Sequence, residues 1–282
     1  MALEIKLLDY SDIALESSFL VLERDCGHTL RMLTLGFLIL GDPHPIVVDT
    51  GYRSNQIMET RGIRRLQYRE SMIDNQLKRH GVRMGDVRFV LHTHLHIDHA
   101  GKDDLFPMNT TVVLNRRELE YSVSGLMHLG YPAPDIKHLI DRLHTKSALR
   151  LLALELTGPI ELIPGVYCEA ANAHTEGPMN VHVHTANGVA TIWGDVIYDI
   201  NDQIVTPFNE IQDSEPRTTG NHGTSKRAEK AAIKKLLSQS RYLLPEHDRP
   251  ARVEGGVVVG GLQDSVPGPL TQSLPKRNWF SA

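Results

Sequence analysis

Residues 92–101, HTHLHIDHAG, place four histidines and one aspartate within eight positions. Imidazole nitrogen and carboxylate oxygen form the mixed ligand set that first-row metals, zinc foremost, accept. Carried on a strand, His94 and His96 point to the same side. The turn expected before Gly101 then brings Asp98 and His99 toward a second position. Such a cluster can bind metal and, with an open coordination position, activate water for hydrolysis. One histidine alone is more often a core or surface residue, but four this close to an aspartate read as a metal site. His92 would share the strand face of His94 and has no assigned role. His182 and His184 alternate in a later strand and are read as non-ligands, and His222 stays unassigned in a Gly-containing loop.

The elements that must position this cluster are legible in outline. VRFVL (87–91) reads as a short strand running straight into it. FLVLERD (19–25), TLGFLILG (34–41) and IVVDTG (46–51) read as earlier strands, with GDPHP as a turn. The stretch 52–68 has no clear period and reads as a lid or a long surface loop. Helical spacing of Met72, Ile73 and Leu77 predicts a helix within 70–81, stopped at Gly81. TTVVLN is a strand, and 116–155 is helical in pieces broken near YPAP. GVYCEAA, VHVHT and GVATIWGD read as strands. Residues 225–240 form an amphipathic helix with Ser225 as N-cap, and YLLPEHD a last strand. Strands first, then strands alternating with helices, predict a layered α/β arrangement.

With 282 residues and 41% apolar content, the chain can bury a sizeable core. It is read as a single domain over 1–282 with a Gly/Pro-rich C-terminal tail. Only Cys26 and Cys168 occur, so no disulfide framework is implied. No run reaches the roughly 20 apolar residues of a membrane-spanning helix. The opening MALEIKLLDYSDIALE mixes acids and bases too early for a secretory signal. A cytoplasmic location is expected, without a membrane partner. The formal net charge of −4 argues against nucleic acid as partner. Oligomeric state stays open, a homodimer being compatible.

The HxHxDH pattern resembles the metallo-β-lactamase superfamily, and further motifs extend the resemblance along the chain. IVVDTG looks like its upstream strand and loop, with Asp49 orienting a ligand. ANAHTEG (171–177) supplies His174, TIWGD (191–195) ends in Asp195, and LLPEHD supplies His247. The resemblance implies an α/β fold, a four-layer αββα sandwich, holding two divalent metal ions. His94, His96 and His174 would hold one; Asp98, His99 and His247 the other; Asp195 would bridge. Zinc is the first expectation, and manganese, iron or cobalt also fit the ligands. Two departures stand out: Glu246 replaces the glycine usual before the last histidine, and Pro178 follows Gly177 where a histidine is usual. Glu176 is expected to be solvated.

Within the superfamily, the pattern is most similar to N-acyl-homoserine lactonases and related small-lactone hydrolases. Tyr198, three residues after Asp195, matches a tyrosine that in those enzymes donates a hydrogen bond to the substrate carbonyl. The resemblance implies ring opening of a small-molecule lactone by a hydroxide bridging the metals. Asp98 would carry the released proton to the leaving alkoxide, with no organic cofactor. Opening an acyl-homoserine lactone would make the protein a quorum-quenching enzyme. The alternatives are hydrolysis of a thioester, cyclic amide or other ester, and a metal-binding module without turnover. Met58, Ile63, Leu66 and Met127 could form an apolar slot for an acyl chain, although ordinary packing is the simpler expectation.

Overall fold

The structure, a computed structural model, describes residues 2–66, 72–126, 130–209, 215–221 and 223–261. β1 (Glu4–Glu16) and β2 (Thr29–Leu40) pair antiparallel from Glu4↔Leu40 to Glu16↔Thr29. β2 is buried at every position from Met32 to Ile39 because both of its faces are covered. Between the two strands, α1 (Ser17–Leu20) is a single turn capped by the Glu16 carboxylate. Residues 19–25 therefore do not form the expected strand. Glu23 and Asp25 adopt positive φ (65° and 39°), which a strand does not accommodate. Arg24 in this loop donates to Asp199 (2.7 Å) and to Asp202.

The first sheet continues through β3 (Ile46–Val48), and its outer edge strand follows α2 (Asn55–Thr60) as β4 (Arg64–Leu66). The stretch expected as a lid or surface loop thus contributes a helix and an edge strand paired to β1. α3 (Ile73–Arg79) buries Ile73, Gln76 and Leu77 and is followed by Gly81 at φ 71°. β5 (Phe89–Leu91), β6 (Thr111–Asn115), α4 (Arg116–Ser122), α5 (Ala133–Leu143) and β7 (Leu149–Leu152) complete this half. The strand order is β4-β1-β2-β3-β5-β6-β7.

After α6 (Leu154–Thr157) come β8 (Ile160–Ile163), β9 (Val166–Ala170), β10 (Met179–Thr185) and β11 (Gly188–Ile192). They are followed by α7 (Thr206–Asn209), α8 (Lys226–Gln239), β12 (Tyr242–Leu244), β13 (Ala251–Glu254) and β14 (Val257–Gly261). The second sheet runs β14-β13-β12-β11-β10-β9-β8. Residues 251–261, read as tail, form the antiparallel pair at its edge; residues 262–282 lie outside the described residues. Ser225 caps α8 as expected, its hydroxyl accepting from Ala228 N–H at 3.1 Å.

Three apolar clusters define four layers. Leu35, Phe37, Val48, Leu91 and Val113 of the first sheet meet Val166, Val181, Val183, Ile192 and Leu244 of the second. Leu77 of α3, Leu119 of α4 and Leu139 of α5 cover the outer face of the first sheet against Leu38, Val47 and Val112. Ile233, Leu236 and Leu237 of α8 cover the second against Leu243, Ala251 and Val253. The arrangement is the αββα sandwich expected from the sequence. Among the described residues, no helix is long and apolar enough to cross a membrane.

Candidate metal centre

The histidine cluster occupies the loop leaving β5, at the end of the seam between the sheets. The strand stops at Leu91, so His94 and His96 are not carried on it as expected. β3 pairs with β5 only as far as Val48↔Leu91, and the next residue, Asp49, turns away at φ 55°. That left-handed conformation costs a non-glycine residue about 1–2 kcal/mol, and it aims the Asp49 carboxylate into the loop. Thr93 N–H donates to Asp49 Oδ1 (2.9 Å), and Leu95 N–H donates to Glu118 Oε1 (2.9 Å). His99 and Ala100 N–H both donate to His96 O, closing a helical turn. Carboxylates thus replace the missing strand partners. The rings of His94 and His96 still meet edge to face, with centroids 4.6 Å apart.

Two groups of ligand atoms converge here, one of His94, His96, His174 and Asp195, the other of Asp98, His99 and His247. Asp195 faces both with different oxygens. Its Oδ2 lies 3.3 Å from His174 Nε2 and 3.6 Å from His94 Nε2. Its Oδ1 lies 2.9 Å from His247 Nε2 and 3.1 Å from His99 Nε2. Asp98 is 3.6 Å from His247 Nε2 and 3.7 Å from His99 Nε2. All seven side chains are buried. His94 Nε2 is buried without a hydrogen-bond partner, a state that a bound cation relieves. The donor set suits divalent cations.

The charge balance agrees with that fit. Burial pushes His94 down, His96 to about 4 and His174 to about 3, so these imidazoles stay neutral with lone pairs available. Burial also acts to lower His99 and His247, but Asp195 and its acidic neighbours outweigh it, holding His99 well up and His247 up. Cations in place of those protons would be held by the same carboxylates.

Neighbouring groups orient the ligands. His247 Nδ1 lies 2.7 Å from Leu33 O, which leaves Nε2 facing Asp195. His99 Nδ1 lies 3.0 Å from Asp49 Oδ2 and also contacts the Glu246 carboxylate. His174 sits at φ 74°, with its Nδ1 2.9 Å from the Asn221 side-chain amide. Glu118 accepts from Leu95 N–H, from the Tyr131 hydroxyl (2.9 Å) and from the Thr175 hydroxyl (2.6 Å), tying two ligand loops together. A Cβ on Gly177 would fall 2.1 Å from Glu118 N, so only glycine lets these loops approach. Tyr198 donates to Asp195 Oδ2 at 2.7 Å and stacks on His247 with centroids 5.2 Å apart. Burial and Asp195 together raise the Tyr198 phenol well above its usual value, so it remains a donor.

Every residue singled out from the motifs as a ligand lies in the cluster, and Tyr198 is beside it. His92 bridges Asp49 Oδ1 and Asp103 Oδ2, at 3.2 Å each. His182 is held by Thr191 and Glu169 in the second sheet, and His222 lies outside the described residues. Glu176 pairs with Arg117 near the surface, whereas Glu246 is fully buried. Met58 is buried in a cluster with Ile13, Leu20, Met32, Tyr52, Ile97 and Tyr198, and Ile63 packs against it, as ordinary packing predicts. The Leu66 side chain and Met127 lie outside the described residues. Glu118 and Asn221 are not signalled by any motif; Glu118 is marked only by its place in the first turn of α4.

Residues 33–237 match the model of the metallo-β-lactamase superfamily. An N-acyl homoserine lactonase from Bacillus sp. is 25% identical over 169 residues, and one from Bacillus thuringiensis is 24% identical over the same length. Each match covers 56% of this chain and 61% of the relative. A solved N-acyl homoserine lactone hydrolase, with N-hexanoyl-L-homoserine at its catalytic metal centre, superposes with a TM-score of 0.68. It is 21% identical, over 88% of this chain and 94% of that one. AidC, a dizinc quorum-quenching lactonase, gives a TM-score of 0.65 at 15% identity, over 94% of this chain and 96% of its own. The match over residues 33–237, most of its length, places this chain in the metallo-β-lactamase superfamily.

Proposed function

We propose that the protein is a metal-dependent hydrolase that opens the ring of a small lactone, of the N-acyl-homoserine lactone class or a close relative. The observation that carries this reading is the junction at Asp195: one oxygen toward each ligand group, and Tyr198 donating to it. Two divalent ions, zinc first among them, would be held by His94, His96, His174, Asp98, His99, His247 and Asp195; bound there they supply Lewis-acid activation of water and of the substrate carbonyl. Tyr198 lies where its hydroxyl can turn from Asp195 to the carbonyl oxygen of a substrate and stabilise the charge that develops there. Asp98 is less tightly enclosed than the other carboxylate, Asp195. It can accept a proton from water and return it to the leaving alkoxide oxygen, giving the alcohol of the ring-opened product. The lactonase relatives support the substrate class.

The test is proton release by the zinc-loaded protein on acyl-homoserine lactones, bicyclic lactones, thioesters and cyclic amides, with His96→Ala as control. Metal-dependent opening of a lactone, lost in His96→Ala, is expected. Turnover of thioesters or cyclic amides alone would overturn the lactonase reading, and silence on the whole panel would overturn the enzymatic one.

A further inference from the structure

Glu246 departs from the motif that precedes His247, and its place in the fold gives it a task. It is fully buried, its main-chain carbonyl accepts from Leu35 N–H at 2.9 Å, and its carboxyl lies against His99 Nδ1. Nε2 of the same ring faces Asp195 Oδ1, on the side where the ligands converge. Asp49 reaches that Nδ1 as well, so one ring nitrogen faces two carboxyl groups. Asp49 is also held by Thr93 N–H, the Thr93 hydroxyl and His92, contacts that lead toward His94. Glu246 makes no comparable contacts on that side. His99 and Asp49 are the groups it meets at the centre.

We propose that Glu246 is a positioning residue for one half of the centre: it bridges Asp49 and His99, fixing the His99 ring so that Nε2 serves the Asp98–His99–His247 group. In this arrangement one Glu246 oxygen accepts from His99 Nδ1–H and the other, as a hydroxyl, donates to Asp49. A side-chain amide has the same pair of groups, a carbonyl to accept and an N–H to donate. Glutamine is therefore expected to replace Glu246, whereas leucine, of similar bulk, is not.

The inference rests on the two-ion reading, and zinc affinity of the metal-stripped protein, measured against a chromophoric chelator, separates the two. In a His96→Ala background, which leaves the Asp98–His99–His247 group intact, Glu246→Leu should weaken zinc binding roughly 10–100-fold. Glu246→Gln should stay within about threefold of its parent, since its bonds are retained. In a His247→Ala background neither change should matter. An equal loss in both backgrounds, no loss in either, or a Gln variant as weak as Leu would overturn the proposal. Glu246→Ala, which removes both bonds without adding apolar bulk, takes the place of Leu if that variant folds poorly. Two bound zinc ions without lactone turnover would defeat the proposed reaction and leave this role standing. Turnover that persists without the Gln–Leu contrast would do the reverse.

Discussion

Asp195 offers a separate oxygen to each ligand group, and Tyr198 competes with the first group for Oδ2. A hydroxyl aimed at the developing charge of a carbonyl contributes to the rate without holding the metals. Tyr198→Phe should therefore lower kcat on a lactone about 100–1,000-fold, with zinc stoichiometry unchanged. An unchanged kcat would remove Tyr198 from the reaction. At this scale the sequence was informative where chemistry demands particular ligand types: HxHxDH and the later His174, Asp195 and His247 come together in groups that could hold a metal. It was silent on Glu118 and Asn221, whose importance comes from contacts 23 and 47 residues away in the chain. Such contacts leave no local pattern.

Elements set the approach of these side chains. α4 enters beside Gly177, and alanine at 177 would force the Glu118 main chain away from the loop that presents His174. Gly177→Ala should cost roughly 2–3 kcal/mol of stability, measured by urea denaturation, and weaken zinc binding with it. α8 carries a second internal acid, Glu229, which accepts from Thr219 N–H at 2.6 Å. Burial raises its carboxyl from 4.5 to about 7. The folded state thus holds this proton more tightly than the unfolded chain, so the associated stability is present below 4.5 and lost as pH rises through 7. Glu229→Gln should remove that slope. Wild type should lose about 1–3 kcal/mol relative to the variant between those limits, and parallel stability curves would show that Glu229 does not titrate in this range. Strands flanked by turn signals were readable, but β1 was not. It is covered on both faces over much of its length, so its burial does not alternate, and its acids and bases blur the pattern. β14 was hidden by its glycines and by the glycine turn before it.

At the scale of the whole molecule, the two sheets supply different ligands. The loop after β5 of the first sheet gives His94, His96, Asp98 and His99, and the second half gives His174, Asp195 and His247. Ions bound there would therefore fasten one half to the other. Zinc at 1,000 times its Kd should stabilise the protein by about 4 kcal/mol per site, seen as a rise in Tm that a chelator reverses. A melting temperature indifferent to zinc would mean that these groups do not hold the metal in the folded protein. The four-layer arrangement was legible because the order of strand and helix signals follows the layers. The meeting of the layers at one metal centre was legible only through the motif resemblance.

His247 is gripped by Leu33, 214 residues earlier in the chain, and Glu246 by Leu35. That pairing has a consequence for synthesis. A nascent chain can present HxHxDH to metal long before residue 247 leaves the ribosome, yet β2 must wait for that late segment before the second group of ligands exists. During that interval the chain holds only part of the candidate centre. Metal supply during translation, and not only after it, would then govern how much of the protein matures.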